Sequence, residues 1–169
     1  MNSRRVYILS GLTLLLLQLV CDNFLELSSY VKLFFLHIII LNSPVTFSRI
    51  FLMIAAFVLG LTADIFSGGI IGIYTASLVP VAFLRNRILS ITASKRIGNS
   101  NEDFYLEELP NSSIIPYYVV GTFIFIALHM GIESVLAQDH LVFFLIRLTV
   151  SLLINALLTI GLTQYVFKR

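Results

Sequence analysis

The sequence has little charge and almost no cysteine. Only 12% of its 169 residues are charged and 58% are hydrophobic, whereas soluble domains carry about 25% charged residues. Such a composition cannot cover a water-facing surface, and it also excludes intrinsic disorder. The single cysteine, Cys21, excludes an internal disulfide and a cysteine-rich metal site, and a net charge of +2 gives no basis for nucleic acid as a partner. We interpret the chain as an integral membrane protein in contact with lipid.

Long apolar runs are plentiful, and they are continuous rather than alternating, which favours helices over a membrane barrel. About 20 apolar residues cross the hydrocarbon core of a bilayer as a helix. The runs predict one all-α transmembrane domain over residues 1–169, a polytopic bundle of about six helices. The predicted spans are 6–21, 30–41, 45–63, 68–84, 114–132 and 141–167.

Basic residues are distributed unevenly among the connections between these spans. Six spans place both termini and the one long polar loop, 85–113, on the same side of the membrane. Of the 11 Lys and Arg residues, only Lys32 falls on the opposite side and Arg147 inside the last span, which leaves nine on the side of the termini. Because Lys and Arg favour the cytoplasmic side, the pattern predicts cytoplasmic termini and a multi-pass plasma-membrane protein.

Polar residues recur every four positions in the last span, and this spacing places them on one face of a helix. The first span carries a similar face with Gln18 and Asp22. Small and polar residues hold membrane helices together, so interhelical packing is one interpretation of these faces, and a lined pathway or ligand cavity is the other. The stripe in the last span consists of Arg147, Ser151, Asn155, Thr159 and Thr163.

Arg147 is a charge inside a predicted span and therefore needs a partner. Asp64, at the end of the third span, and Glu133, just past the fifth, are placed at a similar depth. We predict an ion pair or network between Arg147 and one of these carboxylates, with Asp64 as the first choice.

The connection around Asp64 is rich in small residues. Ala56 and Gly60 are four positions apart in the third span, and Gly68, Gly72 and Ala76 repeat that spacing in the fourth. Such ridges let helix backbones approach closely, and Ser67 is a residue type that caps helices. The stretch predicts a tight hairpin in which Asp64, Gly68 and Gly72 are the positions most sensitive to substitution. The residues of the predicted structural and partner-binding hairpin are Gly60, Asp64, Ser67, Gly68 and Gly72.

Signals for catalysis are weak. His129 and Glu133 have the spacing of helical metal ligands, and His140 follows in the next turn, so a membrane metal-dependent hydrolase is one hypothesis; a catalytic zinc usually has three protein ligands. The sequence has no phosphate-binding or dinucleotide motif and no recognisable nucleophile with its base. We expect no enzymatic activity, no catalytic residue and no cofactor or metal.

The hairpin residues carry a resemblance to a known family. Their pattern is similar to that of the MreD family of rod shape-determining membrane proteins, whose members are short and have about six spans. The first span and the second, which ends near Pro44, also resemble the family. The matching residues are Gly60-Leu61, Asp64, Ser67-Gly68, Gly72, Ala82-Phe83-Leu84-Arg85 and Leu15-Leu16-Leu17-Gln18.

The resemblance implies a non-enzymatic subunit of the bacterial elongation complex, which organises peptidoglycan synthesis at the inner membrane. It implies an MreC-like protein, an MreB-like filament, a class B transpeptidase and a polymerase of the shape, elongation, division and sporulation type as partners. The family has also been likened in fold to the substrate-binding subunits of energy-coupling factor transporters. A subunit of that kind, with the polar stripe lining a pocket, is the alternative function.

Overall fold

The structure is a computed structural model that describes residues 3–24, 31–44, 47–93 and 111–163. These residues form six α-helices and contain no strand, which confirms the all-α expectation for this part of the chain. The helices are α1 (Ser3–Phe24), α2 (Leu36–Leu41), α3 (Arg49–Phe66), α4 (Ile73–Ala93), α5 (Asn111–Ala137) and α6 (Leu141–Leu162).

Three helices are long and apolar enough to cross a membrane. They are α3, the segment Ser112–Ala137 of α5, and α6, while α1 contributes a shorter apolar run, Leu9–Phe24. Large apolar side chains on α3 and α6 point away from the protein, among them Ile50 at 71% exposure and Leu157 at 73%. A surface of this kind is unfavourable in water and suits contact with lipid or with apolar partner helices.

The second predicted span differs most from the structure. The sequence predicts a helix over 30–41, but only Leu36–Leu41 is helical, and residues 31–35 are non-helical. We call residues 31–35 the strap. Residues 34–41 are all buried, and α2 contacts α1, α3, α4 and α5. The second segment therefore lies inside the protein, where side chains of other helices replace the missing helical hydrogen bonds.

The boundaries of α3 and α4 also differ from the predicted ones. The N-cap of α3 is Ser48, whose hydroxyl accepts a hydrogen bond from Phe51 N at 3.3 Å. The first residue of α4 is Ile73 rather than the predicted position 68, and the helix continues to Ala93. Residues 85–93 of the predicted polar loop are thus helical. Residues 94–110 of that loop and the last residues of the sixth span, 164–167, lie outside the described residues.

Aromatic side chains pack the strap against α4 and α5. The Phe34 ring meets Phe125 edge-on with 5.2 Å between centroids, and it meets Tyr74 in the same way at 6.3 Å. Edge-to-face pairs of this kind stabilise cores beyond simple area burial. This packing fixes the strap at the centre of the molecule, between the helices that carry its hydrogen-bond partners.

Candidate functional site

Asp64, near the end of α3, caps the start of α4. Its carboxylate accepts hydrogen bonds from Tyr74 N at 2.9 Å, Thr75 N at 3.1 Å and the Thr75 hydroxyl at 2.7 Å. The first amides of a helix lack intrahelical partners and attract negative charge, so a carboxylate that is only 2% exposed is stabilised here. The prediction that Ser67 caps this helix is wrong, because Ser67 ends α3 and Asp64 already occupies the first amides of α4.

Gly60, one turn before Asp64, allows α3 to approach α4 closely. A Cβ at this position would lie 2.6 Å from Thr75 Cα and 2.8 Å from Thr75 N. These are backbone atoms, which no change of rotamer can move away. The predicted close approach at Gly60 is confirmed, and its contact on α4 is the same residue that donates to Asp64.

Gly68 and Gly72 have a different role from the predicted one. They lie in the connection before α4, with φ angles of 67° and 104°, and no atom stands within 4 Å of a Cβ built at either. The prediction that they form a helical ridge with Ala76 is wrong. A left-handed backbone costs a residue with a side chain about 1–2 kcal/mol, so these glycines allow the turn to form rather than a close helix contact.

The polar stripe of α6 faces the interior, as its spacing predicts. Ser151, Asn155 and Thr159 have no exposed surface, and the two ends of the stripe are at most 9% exposed. Its central members meet the strap, which lies more than 100 positions away in the sequence. The residues of the buried stripe are Arg147, Ser151, Asn155, Thr159 and Thr163.

Asn155 holds one edge of the strap through both atoms of its carboxamide. Its Oδ1 accepts from Phe34 N at 2.7 Å, and its Nδ2 donates to the Lys32 carbonyl at 2.7 Å. Ser151 Oγ accepts from Lys32 N at 3.3 Å. The side chains of α6 thereby take the place that a neighbouring strand would have in a sheet.

Gln18 of α1 holds the opposite edge in the same manner. Its Oε1 accepts from Phe35 N at 2.6 Å, and its Nε2 donates to the Leu33 carbonyl at 3.2 Å. In an extended segment the N–H and C=O of one residue point to the same edge and those of the next residue to the opposite edge, so the α1 and α6 carboxamides bind alternate residues. We call Gln18, Ser151 and Asn155 the cradle of the strap.

His37 extends this polar contact into α2. Its Nε2 lies 3.0 Å from Thr159 Oγ1 and 3.2 Å from Thr122 Oγ1. The Thr159 hydroxyl donates to the Asn155 carbonyl at 2.7 Å, so its oxygen is left to accept from His37. With Thr159 Oγ1 as the acceptor, we assign the proton of the neutral His37 imidazole to Nε2.

Arg147 belongs to an ion-pair network at the end of the bundle where the strap begins. Its Nη2 lies 3.0 Å from Glu133 Oε2, and the other oxygen of Glu133 lies 2.6 Å from Lys32 Nζ. Arg147 Nη1 is also 3.7 Å from Asp139 Oδ2. Glu133 is thus confirmed as the carboxylate of the predicted network, whereas the preference for Asp64 is wrong, because the α4 amides already engage Asp64.

Tyr74 connects the hairpin to the cradle. Its backbone N–H donates to Asp64, while its hydroxyl donates to Asp22 Oδ2 at 2.7 Å and accepts from Gln18 Nε2 at 2.9 Å. The sequence analysis singled out Asp64, Gln18 and Asp22 but not this tyrosine. Its position at the start of α4, next to the motif glycines, is the only sequence signal that marks it.

The other end of α2 is held by a buried arginine, Arg85, whose contact with this helix is not predicted from the sequence. Arg85 has no exposed surface and donates to the Ser43 carbonyl just after α2. Tyr117 donates to the Leu41 carbonyl at 2.8 Å, and Tyr118 donates to Asn42 Oδ1 at 2.7 Å. The last carbonyls of a helix lack intrahelical partners, so these side chains complete the end of α2.

The residues of the hypothetical metal site are not brought together. His129 is buried among aromatic rings, with its own ring centroid 4.6 Å from Phe34 and 4.5 Å from Tyr74. Glu133 is engaged by Lys32 and Arg147, and His140 stands at the N-cap of α6. Within the described parts of the chain, no group of three His, Cys, Asp or Glu side chains is placed to hold a metal ion.

The candidate site is therefore a continuous polar frame that runs from the hairpin through Tyr74 and the cradle to the ion-pair network. Comparison with protein-family models, curated proteins and solved structures finds no match.

Proposed function

We propose that the chain is a non-enzymatic scaffold subunit of the bacterial cell-shape complex, resembling MreD. In this proposal it is a multi-pass protein of the inner membrane with about six membrane-inserted segments and cytoplasmic termini. The apolar helices α3, α5 and α6 support insertion, and the uneven distribution of basic residues supports the orientation. The proposed partners are an MreC-like protein, an MreB-like filament, a class B transpeptidase and a shape and elongation polymerase.

The proposal is based on the observation that polar side chains in the interior form hydrogen bonds with the chain's own backbone. Both atoms of the Asn155 carboxamide and both of the Gln18 carboxamide bind the strap. Asp64 is used in the same way by the first amides of α4. Groups that bind a substrate need free donors and acceptors converging on a cavity. A polar frame that binds itself favours a rigid scaffold over the alternative, a substrate-binding transporter subunit.

The hairpin motif supports the same function. Gly60 and Asp64 both contact Thr75 at the start of α4, so these motif residues set the geometry of two helices. The outward faces of α3 and α6 are lined by large apolar side chains such as Ile54, Phe57 and Leu153. In the proposal, the hairpin holds these faces in the relative position that partner helices recognise.

The test is affinity purification of the tagged protein from its native membrane after mild crosslinking, with partners identified by mass spectrometry. We expect recovery of an MreC-like protein together with wall synthases. Recovery should fall for Gly60→Leu, which forces α3 and α4 apart, and stay unchanged for Gly131→Ala. Gly131 is the matched control, because a Cβ at this α5 position meets nothing within 4 Å.

One result would contradict the proposal outright. Recovery of an ATPase and its transmembrane coupling protein, without wall synthases, would identify a transporter subunit instead. Equal recovery of wall synthases by Gly60→Leu and Gly131→Ala, at equal protein level, would show that partner binding does not depend on the geometry of the hairpin.

A further inference from the structure

We propose that the Lys32 end of the strap is releasable, that Glu133 is its clasp, and that protonation of this carboxylate opens it. The inference concerns a conformational device within the fold and does not depend on the scaffold function. It rests on how differently the two ends of the strap segment are held.

The end that leads into α2 is fixed by apolar burial. At the other end, the side chain of Lys32 is held by charge and its backbone by Ser151 and Asn155. Phe34 and Leu36 have no exposed surface. By contrast, the Lys32 side chain is 41% exposed and that of Glu133 is 22% exposed. Ion pairs with this much contact with solvent are weak and sensitive to salt. The charged end is therefore the end that can detach.

A single carboxylate holds two cations from two elements at this end. Glu133 Oε1 binds Lys32 of the strap at 2.6 Å, and Glu133 Oε2 binds Arg147 of α6 at 3.0 Å. A proton on Glu133 removes the negative charge between them and leaves the two cations facing each other. Asp139, in the connection before α6 and 3.7 Å from Arg147, still provides a counter-charge for Arg147. Lys32 is then the cation that loses its partner, so the Lys32 end of the strap is the part released.

Other titratable groups surround Glu133 and enter the test. His129 precedes it by one helical turn on α5, and Asp22 of α1 and Tyr74 of α4 interact with it electrostatically. Asp22 is the other carboxylate near Lys32, but its oxygens accept from Tyr74 and Gln18. Release of the Lys32 end would break the hydrogen bonds of its backbone N–H and carbonyl to Ser151 and Asn155 and open the polar frame at that end.

Cys21 provides a native reporter of this opening. It is the only cysteine of the chain, it is buried, and it lies three residues after Gln18, on the same face of α1. The reaction rate of Cys21 with a small neutral maleimide is measured in purified protein and divided by the rate in denatured protein at the same pH. The ratio cancels the intrinsic pH dependence of the thiol reaction.

The decisive variant is Lys32→Gln, which removes the strap's cation and leaves the Glu133–Arg147 pair intact. We expect the labelling ratio to rise about fivefold, which corresponds to ~1 kcal/mol of lost local stability. Asp139→Asn is the matched control, because it removes a carboxylate of the same network that does not contact the strap, and it should leave the ratio unchanged. Equal ratios in Lys32→Gln and Asp139→Asn would overturn the proposal.

The pH dependence of the labelling ratio identifies the group whose protonation opens the strap. In the wild-type protein the ratio should rise only when the pH is lowered from about 5 to about 3.5, because two cations within 3.0 Å favour the charged form of Glu133. The ratio should also rise with salt. Asp22→Asn should keep this response, whereas Glu133→Gln should have a high ratio that no longer changes with pH. A flat wild-type profile, or a response lost in Asp22→Asn and retained in Glu133→Gln, would refute the clasp. Hydrogen exchange at the Lys32 amide, whose proton Ser151 accepts, gives a second readout that does not depend on Cys21.

Discussion

The α3–α4 hairpin and the cradle bury polar groups in two different ways. In the hairpin, Asp64 binds amides only 10 and 11 positions further along the chain. In the cradle, Asn155 binds peptide groups 121 and 123 positions away. The hairpin is therefore a local structure whose parts stand together in the sequence, whereas the cradle exists only once α1, the strap and α6 have assembled.

The comparison shows why the two regions should respond differently to substitution. Loss of Asp64 leaves the first amides of α4 without their cap, and losing a helix cap usually costs about 1–2 kcal/mol. Loss of Asn155 leaves a peptide N–H and a carbonyl without partners in the interior, and a buried polar group without a partner is costly. We expect substitutions in the cradle to have the largest effect and substitutions of the glycines in the connection to have the smallest.

Asn155→Leu should be the most destabilising of these changes. It removes the partners of Phe34 N and the Lys32 carbonyl, and we expect a loss of about 2–4 kcal/mol in the free energy of unfolding. A thiol-reactive dye that reports the exposure of Cys21 on heating measures the loss in detergent. Leu157→Ala, on the exposed face of the same helix, is the control and should change little. An unchanged unfolding temperature for Asn155→Leu would refute the role of the cradle.

Gly60→Leu should have the next largest effect, because the new side chain meets the Thr75 backbone. Overpacking of this kind costs about 2–3 kcal/mol, and the same dye assay detects it. Gly131→Ala, also in a helix but with open space at Cβ, should be neutral or slightly stabilising. Equal stability of the two variants would show that α3 and α4 are not in close contact at Gly60.

Asp64→Ala should cost about 1–2 kcal/mol, the usual cost of losing a helix cap. Ser67→Ala is the matched control, because Ser67 lies in the same connection and does not cap α4. We expect Asp64→Ala to unfold at a clearly lower temperature than Ser67→Ala. If Ser67→Ala were the more damaging change, the capping role assigned to Asp64 would be incorrect.

Gly72→Ala should have a smaller effect than the three changes above, about 1 kcal/mol, since it strains a residue with φ of 104° and creates no clash. Gly69→Ala changes a neighbouring glycine whose Cβ would make only an ordinary contact, 3.8 Å from Ser67 Oγ, so its effect should be smaller still. The difference between their unfolding temperatures tests whether the connection depends on the left-handed backbone at Gly72.

The sequence predicts the helical class, the buried face of α6 and the close approach at Gly60, because each follows from spacing or residue size along one segment. It does not predict the partner of Arg147, because Asp64 and Glu133 stand at similar depth and the choice depends on which of them the α4 amides already occupy. The strap is missed for a related reason. Residues 30–41 are apolar enough for a helix, and only the distant carboxamides of Gln18 and Asn155 make an extended backbone stable there.

Hydrogen exchange at the strap amides tests most directly whether buried polar side chains serve the chain's own backbone. At neutral pH we expect the Phe34 and Phe35 amides to exchange far more slowly than in an unfolded chain, because Asn155 and Gln18 accept their protons. In Asn155→Leu, we expect Phe34 to lose this protection. Rapid exchange of both amides in the wild-type protein, or a Phe34 rate that Asn155→Leu leaves unchanged, would contradict the account.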